Sequence, residues 1–198
     1  MNPTTRKMTL SGALIALAVS LNYVLASIPN VELMTALIFI SGVLLGWKYG
    51  LVIAVLAEGL FSAFNPFGPA ALPVLAFQVL GMALPGVVGG LLSRFFAGQG
   101  KRPAISKHAL LGALGALFSI QFDLLTTLGT ALAMGFSWPG FLGLLSIGGM
   151  FYATHIVANA VIFAVIVPIL IQTLKDRIDL QLEPTQSQRI EPTPTCEG

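Results

Sequence analysis

Six apolar runs, at residues 8–28, 33–46, 50–64, 73–96, 107–133 and 147–174, restrict this chain to very few architectures. About 20 consecutive apolar residues span the hydrocarbon core of a bilayer as a helix, and a helix satisfies its own backbone N–H and C=O groups where no water can. Of the 198 residues, 56% are hydrophobic and 9% charged, against about a quarter charged in a soluble domain. The chain therefore reads as an all-α membrane protein, a single bundle of six transmembrane helices. The second and third runs are short and separated only by "GWKYG", and the fifth is long enough to tilt or break.

No segment between the runs could build a second, soluble domain, so residues 1–175 are read as one six-helix transmembrane domain. The end of the chain, "KDRIDLQLEPTQSQRIEPTPTCEG", is rich in Pro, Thr, Gln and charge, and residues 176–198 are expected to form a disordered cytoplasmic tail. The only cysteine, Cys196, lies in that tail, so no disulfide framework and no dithiol motif can be written. Arg6 and Lys7, the apolar stretch after them and "VLAS" at 24–27 have the outline of a cleavable secretory signal. The run is long for a signal's core, and it is taken as the first span.

Orientation follows from the basic residues. Arg6 and Lys7 precede the first run, Lys48 separates the second and third, and Arg94, Lys101, Arg102 and Lys107 lie between the fourth and fifth. Lys175, Arg177 and Arg189 follow the sixth. In a six-span model all of these share one side, and the positive-inside rule makes that side the cytoplasm. Both termini are then cytoplasmic, and residues 29–32, 65–72 and 134–146, which carry no basic residue, face outward.

Against this apolar background a few polar side chains stand out. An ionisable group at the centre of a span costs about 2.5–3.5 kcal/mol on insertion scales and marks a functional site by default. Asp123 and His155 fall near mid-membrane, Glu58 and Gln78 nearer the outer ends of their helices, and Asn22 and Tyr23 near the outer end of the first. Tyr152, His155 and Asn159 share one face of the sixth helix, while Asp123, Thr126 and Thr127 share a face of the fifth. Two facing polar stripes could line one cavity open to the outside. The plainer alternative is that Asp123 pairs with His155, or with Thr hydroxyls, as glue between helices at roughly 1 kcal/mol per contact.

The outer stretches "SAFNPFGPAALP" (62–73) and "MGFSWPGFLG" (134–143) read either as turns with an aromatic belt of Phe64, Phe67, Phe136 and Trp138 or as lids. Small residues four apart, Gly12 with Ala16, Gly86 with Gly90 and Gly112 with Ala116, let helix backbones approach closely. Most such pairs pack within a bundle, and one near the cytoplasmic end of the first helix could dock a partner. No phosphate-binding loop, H-E-x-x-H or G-x-S-x-G is present, so nothing supports an enzyme or a motor within the chain.

The stretches "LNYVLASIPNVELMTALIFISGVLLG" (21–46), "FDLLTTLG" (122–129) and "FYATHIVANAVIF" (151–163), set in this plan of spans, resemble the substrate-binding S components of energy-coupling factor (ECF) transporters of prokaryotes. The resemblance implies a vitamin-binding subunit in the cell membrane that works with a transmembrane coupling subunit and cytoplasmic ATPase subunits, with no cofactor of its own. It also implies docking of the coupling subunit on small residues of the first helix, which Gly12 and Ala16 match, and a lid at 27–32, "SIPNVE".

Nickel- and cobalt-specific relatives carry a histidine directly after the initiator methionine. Here Asn2 follows Met1, which argues against a metal ion as ligand. With no Lys or Arg in the outer half, Asp123 and Glu58 suit a cation or a donor-rich neutral molecule; the resemblance extends to S components assigned to cobalamin and leaves a thiamine-like vitamin or another micronutrient open. The expected substrate-binding set is Asn22, Tyr23, Glu58, Gln78, Asp123, Thr126, Thr127, Tyr152, His155 and Asn159. Lipid and these subunits are the expected partners, and nucleic acid is not. The main rival is a stand-alone proton-coupled carrier using Glu58 and Asp123; a purely structural subunit is a third reading.

Overall fold

The computed structural model describes residues 3–97 and 104–182, and no strand occurs among them. The helices are α1 (Pro3–Leu25), α2 (Met34–Leu45), α3 (Trp47–Ala63), α4 (Leu72–Leu91), the short α5 (Ser93–Ala97), α6 (Ala104–Ala133), α7 (Trp138–Val161) and α8 (Val167–Leu182). A π-helical turn, Ile162–Ile166, joins α7 to α8 without a break. Four stretches are long and apolar enough to cross a membrane: Thr4–Leu25, Leu72–Leu91, Ser106–Ala133 and Trp138–Leu174. The all-helical membrane class is therefore as expected, and each of the six apolar runs falls on helix.

Several boundaries differ from the sequence reading. α7 begins at Trp138, so the outer connection expected at 134–146 shrinks to 134–137. Ser137 is extended at the N-cap position and Pro139 occupies the first turn, where a missing N–H costs nothing. The fourth run does not stay one helix to residue 96 but breaks at Leu92 into α4 and α5. The fifth run neither breaks nor ends early, and α8 continues past residue 175 to Leu182. Residues 183–198, with Cys196 and most of the expected tail, lie outside the described residues.

α2 is buried on nearly every side and is the strut around which the others pack. A helix that is apolar all round belongs in an interior, and its 12 residues sit between two apolar clusters. Met34, Leu37 and Ile38 join Leu14 and Ala18 of α1 with Ile53 and Ala57 of α3. Phe39, Ile40 and Val43 join Leu111 and Phe118 of α6 with Phe163 and Val167. Phe39 is the hub of the second cluster, its ring centroid 5.3 Å from Phe163 and 6.0 Å from Phe118. The π turn places Phe163 there, fully buried.

Glycine makes the α2–α3–α4 contact possible. Gly46 adopts φ 95°, a left-handed conformation open to glycine, so α2 passes into α3 with no loop at all. Its N–H closes α2 on the Gly42 carbonyl at 2.8 Å, and its carbonyl accepts from the Gly50 N–H at 3.0 Å to open α3. Deeper in, Gly86 of α4 faces Gly50 of α3 so closely that a Cβ on either would meet the other's backbone carbonyl. Neither backbone can retreat without separating the helices.

Gly86→Ala should therefore lower stability by about 1–3 kcal/mol, the usual cost of overpacking, seen as a lower Tm in detergent. Gly59→Ala, where a Cβ meets nothing within 4 Å, is the matched control. Equal Tm values for the two variants would mean that the close approach is absent.

Candidate functional site

α1, α3, α4, α6 and α7 surround a cavity of about 500 Å³ that residues 25–32 border from the α1–α2 connection. Its walls take Asn22 from α1, Glu58 and Phe61 from α3, Gln78 and Met82 from α4, Phe122 and Asp123 from α6, and His155 from α7. The volume is within the usual range for small-molecule sites, about 300–1,000 Å³. Asn65 and Phe67 of the α3–α4 connection border it as well. The aromatic-rich stretch 134–143 does not, and most of it is helix.

The two polar stripes expected on the fifth and sixth runs do face each other, across the α6–α7 interface. His155 Nδ1 and Asp123 Oδ1 lie 2.8 Å apart, and because a carboxylate only accepts, the ring nitrogen carries the proton. The Thr127 and Tyr152 hydroxyls are 2.6 Å apart, and Asn159 Nδ2 donates to the Ser119 hydroxyl at 2.9 Å. The ladder holds the helices together, but only Asp123 and His155 reach the cavity wall.

Of the expected set, the structure brings Asn22, Glu58, Gln78, Asp123 and His155 to one space. Tyr23, Thr126, Thr127, Tyr152 and Asn159 stand outside the cavity lining. Tyr23 turns its hydroxyl to the Phe64 carbonyl at 2.8 Å and its ring to Phe61, with centroids 5.4 Å apart. Thr127 and Tyr152 are spent on each other, and the Thr126 hydroxyl is buried without a partner. Asn159, with no exposed surface, stands behind the wall and holds a residue that the sequence reading passed over.

That residue is Glu32. Its Oε2 accepts from the Thr35 backbone N–H at 2.9 Å, which caps the start of α2, a position where a carboxylate also meets the positive end of the helix dipole. Its Oε1 accepts from Asn159 Nδ2 at 2.9 Å and lies 3.7 Å from His155 Nε2. Burial pushes the Glu32 carboxyl up, but the His155 ring, Thr35 and Asn159 outweigh it and hold the group below its ordinary value. One side chain thus ties the α1–α2 connection to α2 and to α7. Glu32 is also the single charged residue in the three connections read as outward-facing, and that was the signal available in the sequence.

The rest of the connection is pinned in the same direction. Asn30 takes a left-handed φ of 57° and its Nδ2 donates to the Phe151 carbonyl at 2.6 Å. Asparagine tolerates that conformation better than most residues. The Leu33 N–H is 3.4 Å from Asn22 Oδ1, a weak tie back to α1.

Several polar atoms around the cavity have no partner. Asp123 Oδ2, Gln78 Oε1 and His155 Nε2 are buried and make no hydrogen bond. Glu58, 2% exposed, accepts at Oε1 from the Ser62 hydroxyl at 2.6 Å. Among the described residues, no three His, Cys, Asp or Glu side chains converge as ligands for a metal ion.

A family model for the ECF transporter substrate-specific component matches residues 6–178. The chain belongs to that family. No curated protein and no solved structure matches it. As an S component it is a substrate-binding membrane subunit of a transporter, the class that associates with the subunits of an ECF module.

Glu32→Ala removes both the cap of α2 and the tie to α7. Amide hydrogen exchange across residues 26–33 should rise at least tenfold, since breaking a hydrogen bond to a charged group costs about 1.5–3 kcal/mol. Exchange in the α2–α3–α4 contact should stay unchanged. A uniform rise over the whole chain would mean that Glu32 holds the fold and not the connection.

Proposed function

We propose that this S component captures a small organic micronutrient from outside the cell and delivers it for uptake driven by ATP hydrolysis in partner subunits. The observation that carries the reading is the cavity of about 500 Å³, bordered by an α1–α2 connection that Glu32 ties to α7. In this reading the chain crosses the membrane six times, with both termini cytoplasmic. The cavity then opens at the end opposite Lys7, Lys48, Arg94 and Lys107, in accord with the positive-inside rule. The membrane is the cytoplasmic membrane of a prokaryote.

Within this function Asp123, Glu58, Gln78 and Asn22 contact the ligand. His155 orients Asp123, and Glu32 with Asn159 closes residues 27–32 as a lid. Thr127, Tyr152 and Tyr23 serve to position the wall. Thr126, beside them on α6, has no assigned contact. The cavity volume favours a thiamine-sized vitamin over a cobalamin-sized one. Gly12 and Ala16 lie exposed on α1, where a Cβ on Gly12 would meet nothing within 4 Å, and form the docking face for the coupling subunit. The family match supports the ECF partnership over a proton-coupled carrier working alone.

Protein purified from cells grown in rich medium should carry a small molecule at near-equal molar amount, identified by mass spectrometry. Uptake of that molecule in intact cells should require the ECF ATPases and fall about tenfold or more in Glu32→Ala, whose lost charged hydrogen bond is worth at least that factor. Uptake that persists without those ATPases, and collapses with the proton gradient instead, would overturn the proposal in favour of the carrier.

A further inference from the structure

We infer that the molecule held in the cavity is an organic cation with N–H donors, received by Asp123 and Glu58. The inference rests on the cavity being the substrate site and deepens that reading by naming the ligand's charge and hydrogen-bonding character.

The cavity wall holds buried acceptors that lack donors. Asp123 is 9% exposed and its Oδ1 is occupied by His155, but its Oδ2 is buried and has no partner. Gln78 Oε1, on the neighbouring α4, is in the same state. Both are acceptors, and an ionised carboxylate can be nothing else. Buried acceptors without donors cost free energy, so a molecule that completes this wall brings N–H or O–H groups to it.

Glu32, Glu58 and Asp123 all border the cavity, with His155 as the lone basic group and no Lys or Arg anywhere in the lining. Even a protonated His155 leaves the carboxyls in excess. Glu32 is spent on Thr35 and Asn159, which leaves Asp123 and Glu58, from α6 and α3, to face what enters. An anion would meet uncompensated like charge, and a neutral donor would leave the excess standing. A cation removes both penalties.

The rings of Phe61, Phe67 and Phe122 border the same space. Aromatic faces attract cations and stack on planar groups, so a flat cationic ring or an amidinium-type group matches the apolar part of the wall as well.

Benzamidinium, benzamide and benzoate form a matched set: flat, nearly equal in size, and differing in charge and donors. Their binding to the full chain, purified in detergent and freed of any co-purified molecule, is read by thermal shift at millimolar concentration. Benzamidinium should bind about tenfold more tightly than either isostere or better, because a charge-assisted hydrogen bond is worth at least that factor. The preference should vanish in Asp123→Asn and in Glu58→Gln, two nearly isosteric changes made separately so that one folded variant suffices.

Equal or tighter binding of benzamide or benzoate overturns the inference. So does a preference that survives in either folded variant, or no stabilisation by benzamidinium at all. A co-purified molecule that proves neutral or anionic overturns the cationic class while leaving the binding subunit intact. Uptake independent of the ECF ATPases, with the cation preference intact, instead sinks the transport partnership and leaves the ligand class standing.

Discussion

A carboxylate and an imidazole meeting between two helices hold this molecule's polar side together. The Asp123–His155 contact at 2.8 Å is the centre of a chain that runs from the α6–α7 interface through Glu32 to the start of α2. In an apolar bundle each polar group left alone costs several kcal/mol, so the partners must be found within the protein. Once Asp123 and His155 are paired, the spacing of their helices is set, Asn159 comes into reach of Glu32, and the α1–α2 connection has a place to rest. Removing one partner of such a pair costs about 3–5 kcal/mol, because the other is left buried and uncompensated.

The apolar side of the molecule supplies the frame. α2 is buried between two clusters, and the glycines of α2, α3 and α4 bring three backbones together so closely that no side chain fits between them. Glu58 sits two turns along α3 from Gly50, and Gln78 two turns along α4 from Gly86, so the rigid contact fixes where two of the cavity's polar side chains stand. A site on packed helices holds its geometry better than one on loops. The α1–α2 connection has the opposite character, fixed by a few hydrogen bonds from Glu32, Asn30 and Asn22. A firm wall and a loosely tied cover are what capture and release of a ligand require, and in the proposed function they are assigned those roles.

Much of this could be read along the chain. The helical class and the approximate run of each helix follow from apolar length, which is local and needs no knowledge of neighbours. Each of the Asp123 and His155 stripes was legible from helical spacing, because residues three, four and seven apart must share a face, but that the two meet is shown only by the structure. The break after Leu92 and the early start at Trp138 were not, since both turn on a few backbone contacts at a helix end.

What the sequence by itself determined is that the chain must live in a membrane as helices, and that its few buried polar side chains must find one another. Which ones border open space, and which are spent on each other, was decided by the tertiary structure alone. Tyr152 and Asn159 lie on the same face as His155, yet one is taken by Thr127 and the other by Glu32 and Ser119. Glu32, in a connection with no periodicity to reveal its direction, became the tie between connection and bundle. The physical reason is that a helix face can be computed from a pitch, whereas a cavity exists only between elements, and its walls depend on how closely glycines let those elements approach.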